Sequence, residues 1–528
     1  MTKRLTRREF IKYDGSVVFA SAISGRLNAR TSDESGASDQ GRTATTGNEP
    51  TSPPCTIRIN MNEVVHKMAG GAGASWHAMG PTAYWYKDLL PGKMNRNSRG
   101  SGWGGNPPLE YAEAWNDLRH HARWLGLNFV RVEISMRMYE PEAGRFDWQN
   151  DEMRTLYRIL DYCQESGVDV FFTQMWADVR WNAFEGAGRL QSAPKSVAAF
   201  SHGLATLMDL LVKRKGYTCI RWLCIVNEPG ASWSWWQGED GRPVSVMPAL
   251  HAVRSELDKR GIGVALSGPD WDSLGHNSPD FDFNDRVVGA LDAHNYAFFP
   301  DVGLQKLWAD KAHALGIPFF QSEFGTWTGE NPFENPCSTS PRSYPNQLTD
   351  AEKVIGGIRV GVDGFNRWSF VNRGDLDGQW QLVRTFETTH WDYFKRVVPE
   401  PVPYFCYGIL TRFMPKYSSV FRTEADSTDF VVTAFRSPKG NLTVYVLNKS
   451  NANRPIVLSF EGLSTVLNLY KYQVSQGSVE NSKFKMDPLA MYTASNASPQ
   501  VADTLPFDSI TTYSTYKLAH SDPGIIGD

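Results

Sequence analysis

An α/β fold, a (β/α)8 barrel followed by a C-terminal antiparallel β-sandwich, is the class the sequence predicts. Three observations carry the prediction. Segments with helical spacing of apolar residues alternate with short strand-like runs through most of the chain. Eight strand candidates are separated in this way, which argues for a parallel sheet closed into a barrel. Beyond Tyr417 the texture changes to short alternating runs parted by turn residues, as an antiparallel sheet requires.

The elements follow in order. TIRINM (Thr56 to Met61) alternates like a strand, and GGAGASWHAM, with Gly73 at its centre, reads as the first barrel strand opening into a loop. AEAWNDLRHHARWLGLN has helical spacing and leads into FVRVEIS, Phe129 to Ser135. DEMRTLYRILDYCQESG is stopped by Gly167 and leads into VDVFFTQMW, Val168 to Trp176. SVAAFSHGLATLMDLLVKRKG precedes IRWLCIVNEP, and VMPALHAVRSELDKRG precedes GVALSGPD. VVGALDAHNY, FFQSEFG and GVDGFNRWSF supply the last three strands, each joined by a helical stretch. YFCYGILTRFMPKYS reads as the closing helix. FVVTAFR, LTVYVLNKS, RPIVLSF, LNLYKYQV and SITTYSTYKL then form the sandwich.

These shifts divide the chain into residues 1–29, 30–54, 55–416 and 417–520, with the strand at 56–68 a candidate to join the last of them. In the first, TRREFIK (Thr6 to Lys12) before a modest apolar run resembles a twin-arginine signal, an address rather than an anchor. The expectation is export, periplasmic or extracellular. Residues 30–54 are rich in Ser, Thr, Gly and Asp and read as a flexible linker.

Composition narrows the function. Lys and Arg total 54 against 57 for Asp and Glu, a net charge of -3, so neither nucleic acid nor an anionic membrane is an expected partner. The apolar run near the N-terminus is too short to span a bilayer. None of the six cysteines forms a CxxC pair or a zinc spacing. A GxGxxG match at Gly100, Gly102 and Gly105 lacks the preceding strand that a nucleotide-binding turn needs, and is read as coincidence. No GxSxG elbow occurs either.

Barrels of this kind work at the C-terminal ends of their strands. Those ends carry Arg131 and Glu133, then Gln174, Trp176 and Asp178, then Asn227 and Glu228. Further on they carry His294, Asn295 and Tyr296, then Glu323, and finally Trp368. Two glutamates at one rim, Glu228 and Glu323, form the carboxylate pair that glycosidic bond cleavage needs. One must give a proton and the other must stay ionised. Trp176, Trp181, Trp233, Trp235 and Trp236 fall in the loops after the third and fourth strands, where sugar stacking and loop packing are equal readings. Asp270 and Asp272, in GPDWDS, read either as substrate hydrogen-bonders or as turn residues, with the turn reading favoured.

WLCIVNEP and FFQSEFG, with HNY before the second and Trp368 on the eighth strand, resemble the retaining clan A glycoside hydrolases. The resemblance runs over roughly residues 56–516 and points to families 30 and 39 and, more loosely, family 5. It implies Glu228 as general acid/base and Glu323 as nucleophile. Asn227 would bind the substrate's 2-hydroxyl, Tyr296 would hold Glu323, and Arg131 would keep it ionised. Trp368 would be the floor beneath the sugar, and His294 part of the polar shell. The expected activity is retaining hydrolysis of a β-linked oligo- or polysaccharide, with no metal or organic cofactor. A transglycosylase using the same pair and an inactive carbohydrate-binding barrel are the alternatives. The loops Tyr84 to Asn106 and Gly329 to Gln347 match no pattern that would name the sugar.

Overall fold

Eight parallel strands close into a barrel in the order in which they occur along the chain. The computed structural model describes residues 53–78, 105–176, 180–185, 192–230, 236–276, 281–326, 342–371, 380–387 and 392–527. The residues read as an export signal, and nearly all of those read as a linker, lie outside these. So do Trp233, Trp235, Asp178 and Cys337.

Strand β1 is Cys55–Met68. The barrel strands are β2 Gly71–Trp76, β3 Phe129–Ser135, β4 Asp169–Trp176 and β5 Ile220–Cys224. They continue with β6 Ala265–Trp271, β7 Ala290–Asn295, β8 Phe319–Phe324 and β9 Gly364–Val371. The eight predicted barrel strands are therefore all present. The chain turns sharply wherever a helix feeds a strand: Gly126 and Gly167 end their helices in the left-handed region, where glycine pays no Cβ penalty.

Residues facing the barrel axis change character with height. Phe129, Phe171, Trp222 and Phe320 pack together inside it, with Cys224, Ala290 and Ala265. This aromatic layer is tight: a Cβ on Gly364 would lie 2.4 Å from the Phe320 ring. Two residues up the same strand faces come Arg131, Thr173 and Ser322, all buried. The apolar layer therefore floors a polar one, and the polar layer leads to the mouth.

After β9 come a hairpin, β10 Val383–Glu387 and β11 Asp392–Pro399, and then the helix Pro401–Thr411. A nine-stranded sheet completes the fold. Its later strands are β12 Ser418–Ala425, β13 Phe430–Arg436, β14 Leu442–Asn448 and β15 Arg454–Glu461. They end with β16 Leu467–Val474, β17 Ala490–Ala494, β18 Gln500–Leu505 and β19 Ser509–Ser514. The order is β17-β16-β19-β14-β13-β12-β1-β15-β18.

Strand β1 lies inside this sheet, antiparallel to β12 and parallel to β15, so residues 55–68 belong to the second sheet rather than to the barrel. The two edge strands, β17 and β18, touch. The sheet is thus curled around its own core, in which Ile57, Val432, Leu458, Leu469 and Val501 meet. Its other face packs on the barrel helices. The Tyr445 hydroxyl donates to the Leu410 carbonyl at 2.5 Å and Tyr344 donates to Asp508 at 2.7 Å. Arg412, buried, donates to the carbonyls of Trp124, Asp522 and Ala519, each at 2.9 Å, and so fastens the C-terminal stretch to the barrel.

Candidate active site

The polar layer converges on Arg131, projecting from β3 and fully buried. Its guanidinium reaches four acceptors. Nη1 donates to Glu133 Oε1 at 2.6 Å and to Glu323 Oε1. Nη2 donates to Asn227 Oδ1 at 2.6 Å and to Asp270 Oδ2 at 2.9 Å. The planar fork of arginine suits such a hub, since one rigid group sets the places of several oxygens. Glu133 is in turn paired with His77, just past the end of β2.

Glu323, on β8, accepts from Arg131 through one oxygen and from the Tyr296 hydroxyl at 2.7 Å through the other. His294 Nδ1 stands 3.3 Å from that second oxygen and 2.8 Å from Glu228 Oε1. Its Nε2 stands 3.1 Å from Asp270 Oδ1, which also accepts from the Ser322 hydroxyl at 2.6 Å. A carboxylate oxygen of Glu228, one of Glu323 and a ring nitrogen of His294 all lie within 4.8 Å of one another. The two glutamates predicted from the sequence therefore do face each other.

Glu228 is held in an unusual way. Its φ is +49°, in the left-handed region that disfavours a side chain, and its N–H donates to the Asp270 carbonyl at 3.1 Å. Asp270 has a φ of +56°, and its own N–H donates to Asp292 at 3.0 Å. Two strained backbones of roughly 1–3 kcal/mol each are pinned together at the barrel rim.

Charge is arranged unevenly around the cluster. Burial pushes the Asp270 carboxyl up, but Arg131 and His294 overcome it and hold the group well below the usual carboxylate range. Burial and the Asp270 charge drive Asp292 well above that range. His294 is pushed down by burial, yet Glu323 and Asp270 lift it well above the usual imidazole range. Burial raises Glu323, His294 and Arg131 pull it back, Glu228 pushes it further up, and the balance leaves it raised to about 8. Close carboxylates oppose each other's ionisation, which is the part of this rise that Glu228 supplies.

Asp270, for which the sequence favoured a turn, is a member of this cluster. It is completely buried and joins Arg131 to His294, whereas Asp272 is half-buried and pairs with His276 at 2.9 Å. Replacement Asp270→Asn is expected to lower unfolding free energy by about 3–5 kcal/mol, the scale for removing one partner of a buried ion pair. Asp272→Asn should stay within about 1 kcal/mol. Urea denaturation of both variants checks the contrast. The one sequence clue was that GPD stands at a strand end, like NEP and SEF.

The remaining predicted residues divide. Trp368 is buried on β9, its ring edge against His77 with centroids 4.8 Å apart. Trp176 ends β4, and its side chain lies outside the described residues. Trp181 and Trp236 are packing residues: Trp181 Nε1 donates to Glu140 at 3.3 Å, and Trp236 is buried against Phe200. Trp380 also went unnoticed in the sequence. It is buried beside Tyr296, with ring centroids 5.5 Å apart.

Glu228, His294 and Glu323 also form a donor set of the kind a divalent cation takes, as do Cys224, Asp270 and Asp292. Both oxygens of Glu323 already accept from protein donors, and the Arg131 cation stands against each group. Such surroundings disfavour a further positive charge.

No family model matches the sequence and no curated protein does. Solved structures do. A GH30 endoxylanase from Clostridium papyrosolvens is 14% identical with a TM-score of 0.58, over 87% of this chain and 99% of its own. An endo-β-1,6-glucanase is 14% identical with a TM-score of 0.58, over 88% and 94%. An α-L-arabinofuranosidase from Thermotoga maritima is 15% identical with a TM-score of 0.55, over 88% and 100%. The likeness establishes the fold, a barrel with an attached β domain.

Proposed function

We propose that the protein is a retaining β-glycoside hydrolase acting on an oligo- or polysaccharide by double displacement. The observation that carries this is the approach of Glu228 and Glu323 oxygens to within 4.8 Å at the barrel mouth. A separation near 5 Å suits direct attack by one carboxylate, whereas inversion needs a wider gap that admits water. The solved structures of similar fold support the reading, since those quoted are named as an endoxylanase, a glucanase and an arabinofuranosidase.

The roles follow from the hydrogen bonds. Arg131 and Tyr296 donate to both oxygens of Glu323, which suits a carboxylate, so Glu323 is the nucleophile. Glu228 meets a ring nitrogen of His294 at Oε1, and as the other carboxyl of the pair it is the proton donor. In the first step Glu323 forms a bond to the anomeric carbon while Glu228 gives its proton to the departing oxygen. In the second, Glu228 takes a proton from water, the water oxygen bonds to the anomeric carbon, and Glu323 leaves as a carboxylate. Because Arg131 occupies Asn227 Oδ1, the amide nitrogen is the donor left for a substrate hydroxyl. Trp368 provides the apolar floor.

A screen of β-glucans, β-galactans, xylans and mannans for reducing ends tests the reading. Release from at least one class is expected, and binding without release would favour a carbohydrate-binding barrel. The TRREFIK stretch supports export by the twin-arginine route, which fractionation of expressing cells would check.

Arg131 supplies a pH prediction. Glu323 must be ionised to attack, and removing a nearby cation raises a carboxyl pKa. In Arg131→Met the acidic limb of the kcat/KM profile should therefore move to higher pH, with a large loss of kcat at neutral pH. An unmoved limb would detach Arg131 from Glu323.

A further inference from the structure

Two phenylalanines stand in water beside the site. Phe298 is 57% exposed and Phe299 58%, on the loop between β7 and the helix Val302–Ala314. Full burial of such side chains stabilises by about 1.5–3 kcal/mol each, so a pair left in solvent is a surface awaiting a cover. The loop that presents them is fixed at both ends. Tyr296, at its start, donates to Glu323, and the Asn295 amide donates to the Pro300 carbonyl at 3.5 Å. Asp301, at its end, caps the following helix through Leu304 N at 3.3 Å.

The loop's place in the barrel gives it a direction. On one side of Glu323 stands β9, with Trp368, and then β2, with His77 beyond its end. On the other stand β7, β6 and β5, with Tyr296, Asp270 and Glu228. The sugar to be cleaved lies over Trp368, and Glu228 protonates the oxygen that departs. The leaving group therefore extends across the β5–β7 side of the mouth, the side that carries the loop of Phe298 and Phe299.

We propose that Phe298 and Phe299 form a stacking platform for the leaving-group sugars of a β-linked glycan. The inference rests on the hydrolase reading and deepens it. Sugar rings have an apolar C–H face that covers an aromatic ring, while their hydroxyls stay in water. The platform selects extended saccharides over substrates with a small leaving group. It also holds acceptors in the second step, where a sugar hydroxyl can replace water.

The test compares β-glycosyl fluorides, whose leaving group is one atom, with oligosaccharides of the same sugar, using glucose, xylose and galactose series. In Phe298→Ala/Phe299→Ala, kcat/KM for the oligosaccharide should fall at least about tenfold further than for the fluoride. Phe298→Trp/Phe299→Trp should keep the wild-type ratio. Equal losses on both substrates, or no loss, would overturn the platform while leaving the hydrolase standing. The rival cover is a second copy of the chain. Conversion of a dimer to a monomer by the double alanine variant, with an unchanged substrate ratio, would also overturn it. If the unmodified protein turned over no fluoride and no oligosaccharide, the hydrolase reading would fail and the platform with it.

Discussion

Glu323→Ala is expected to lower kcat by more than about 10⁴-fold, the scale on which loss of a catalytic nucleophile is felt. Folding should survive, because the substitution relieves the crowding of negative charge around Arg131. Azide is small enough to enter the space left by the carboxylate and attack the anomeric carbon from the same face. It should restore part of the rate on an activated aryl glycoside and yield a glycosyl azide of inverted configuration. Near wild-type turnover without azide would remove Glu323 from the chemistry. The contacts from Arg131 and Tyr296 would then be structural only.

Glu228→Ala should behave differently, and the difference identifies the acid. Proton donation contributes about 10²–10⁴-fold where the departing oxygen is a poor leaving group. An aryl leaving group of low pKa departs without that help, so its first step should be far less affected. Glycoside turnover would then stall at the second step, where Glu228 must take a proton from water. A burst of released phenol followed by a slow steady state is the expected trace. Equal losses for aryl and natural substrates would contradict an acid role.

Much of this was legible in the sequence, for local reasons. Each barrel strand announces itself because both faces are buried, which makes near-continuous apolar runs such as FVRVEIS and WLCIV. Glu228 and Glu323 stood out because such runs end on them. Arg131 sits two residues along β3 from Phe129, so its inward direction follows from strand period alone.

What stayed hidden depends on partners remote in the chain. Asp270 looks like a turn residue, and its backbone does turn, with φ at +56°. Only the closed barrel brings it to Arg131, 2.9 Å away, and to His294. Strand β1 reads as a strand from its own alternation, but its neighbours β12 and β15 lie at the far end of the chain. Strand β12 carries Arg422, Glu424 and Ser419, so it lacks the apolar density that marked the others. Trp181 and Trp236 occupy loops where stacking and packing need the same side chain, and only burial separates the two uses.

A covalent glycosyl intermediate on Glu323 can be trapped. The protein is incubated with a 2-deoxy-2-fluoro aryl β-glycoside of the sugar that the screen identifies, digested, and analysed by mass spectrometry. One glycosyl mass is expected on the peptide that contains Glu323, with the bond on that residue. A label on another residue would contradict it, and so would an inverted hydrolysis product without a label.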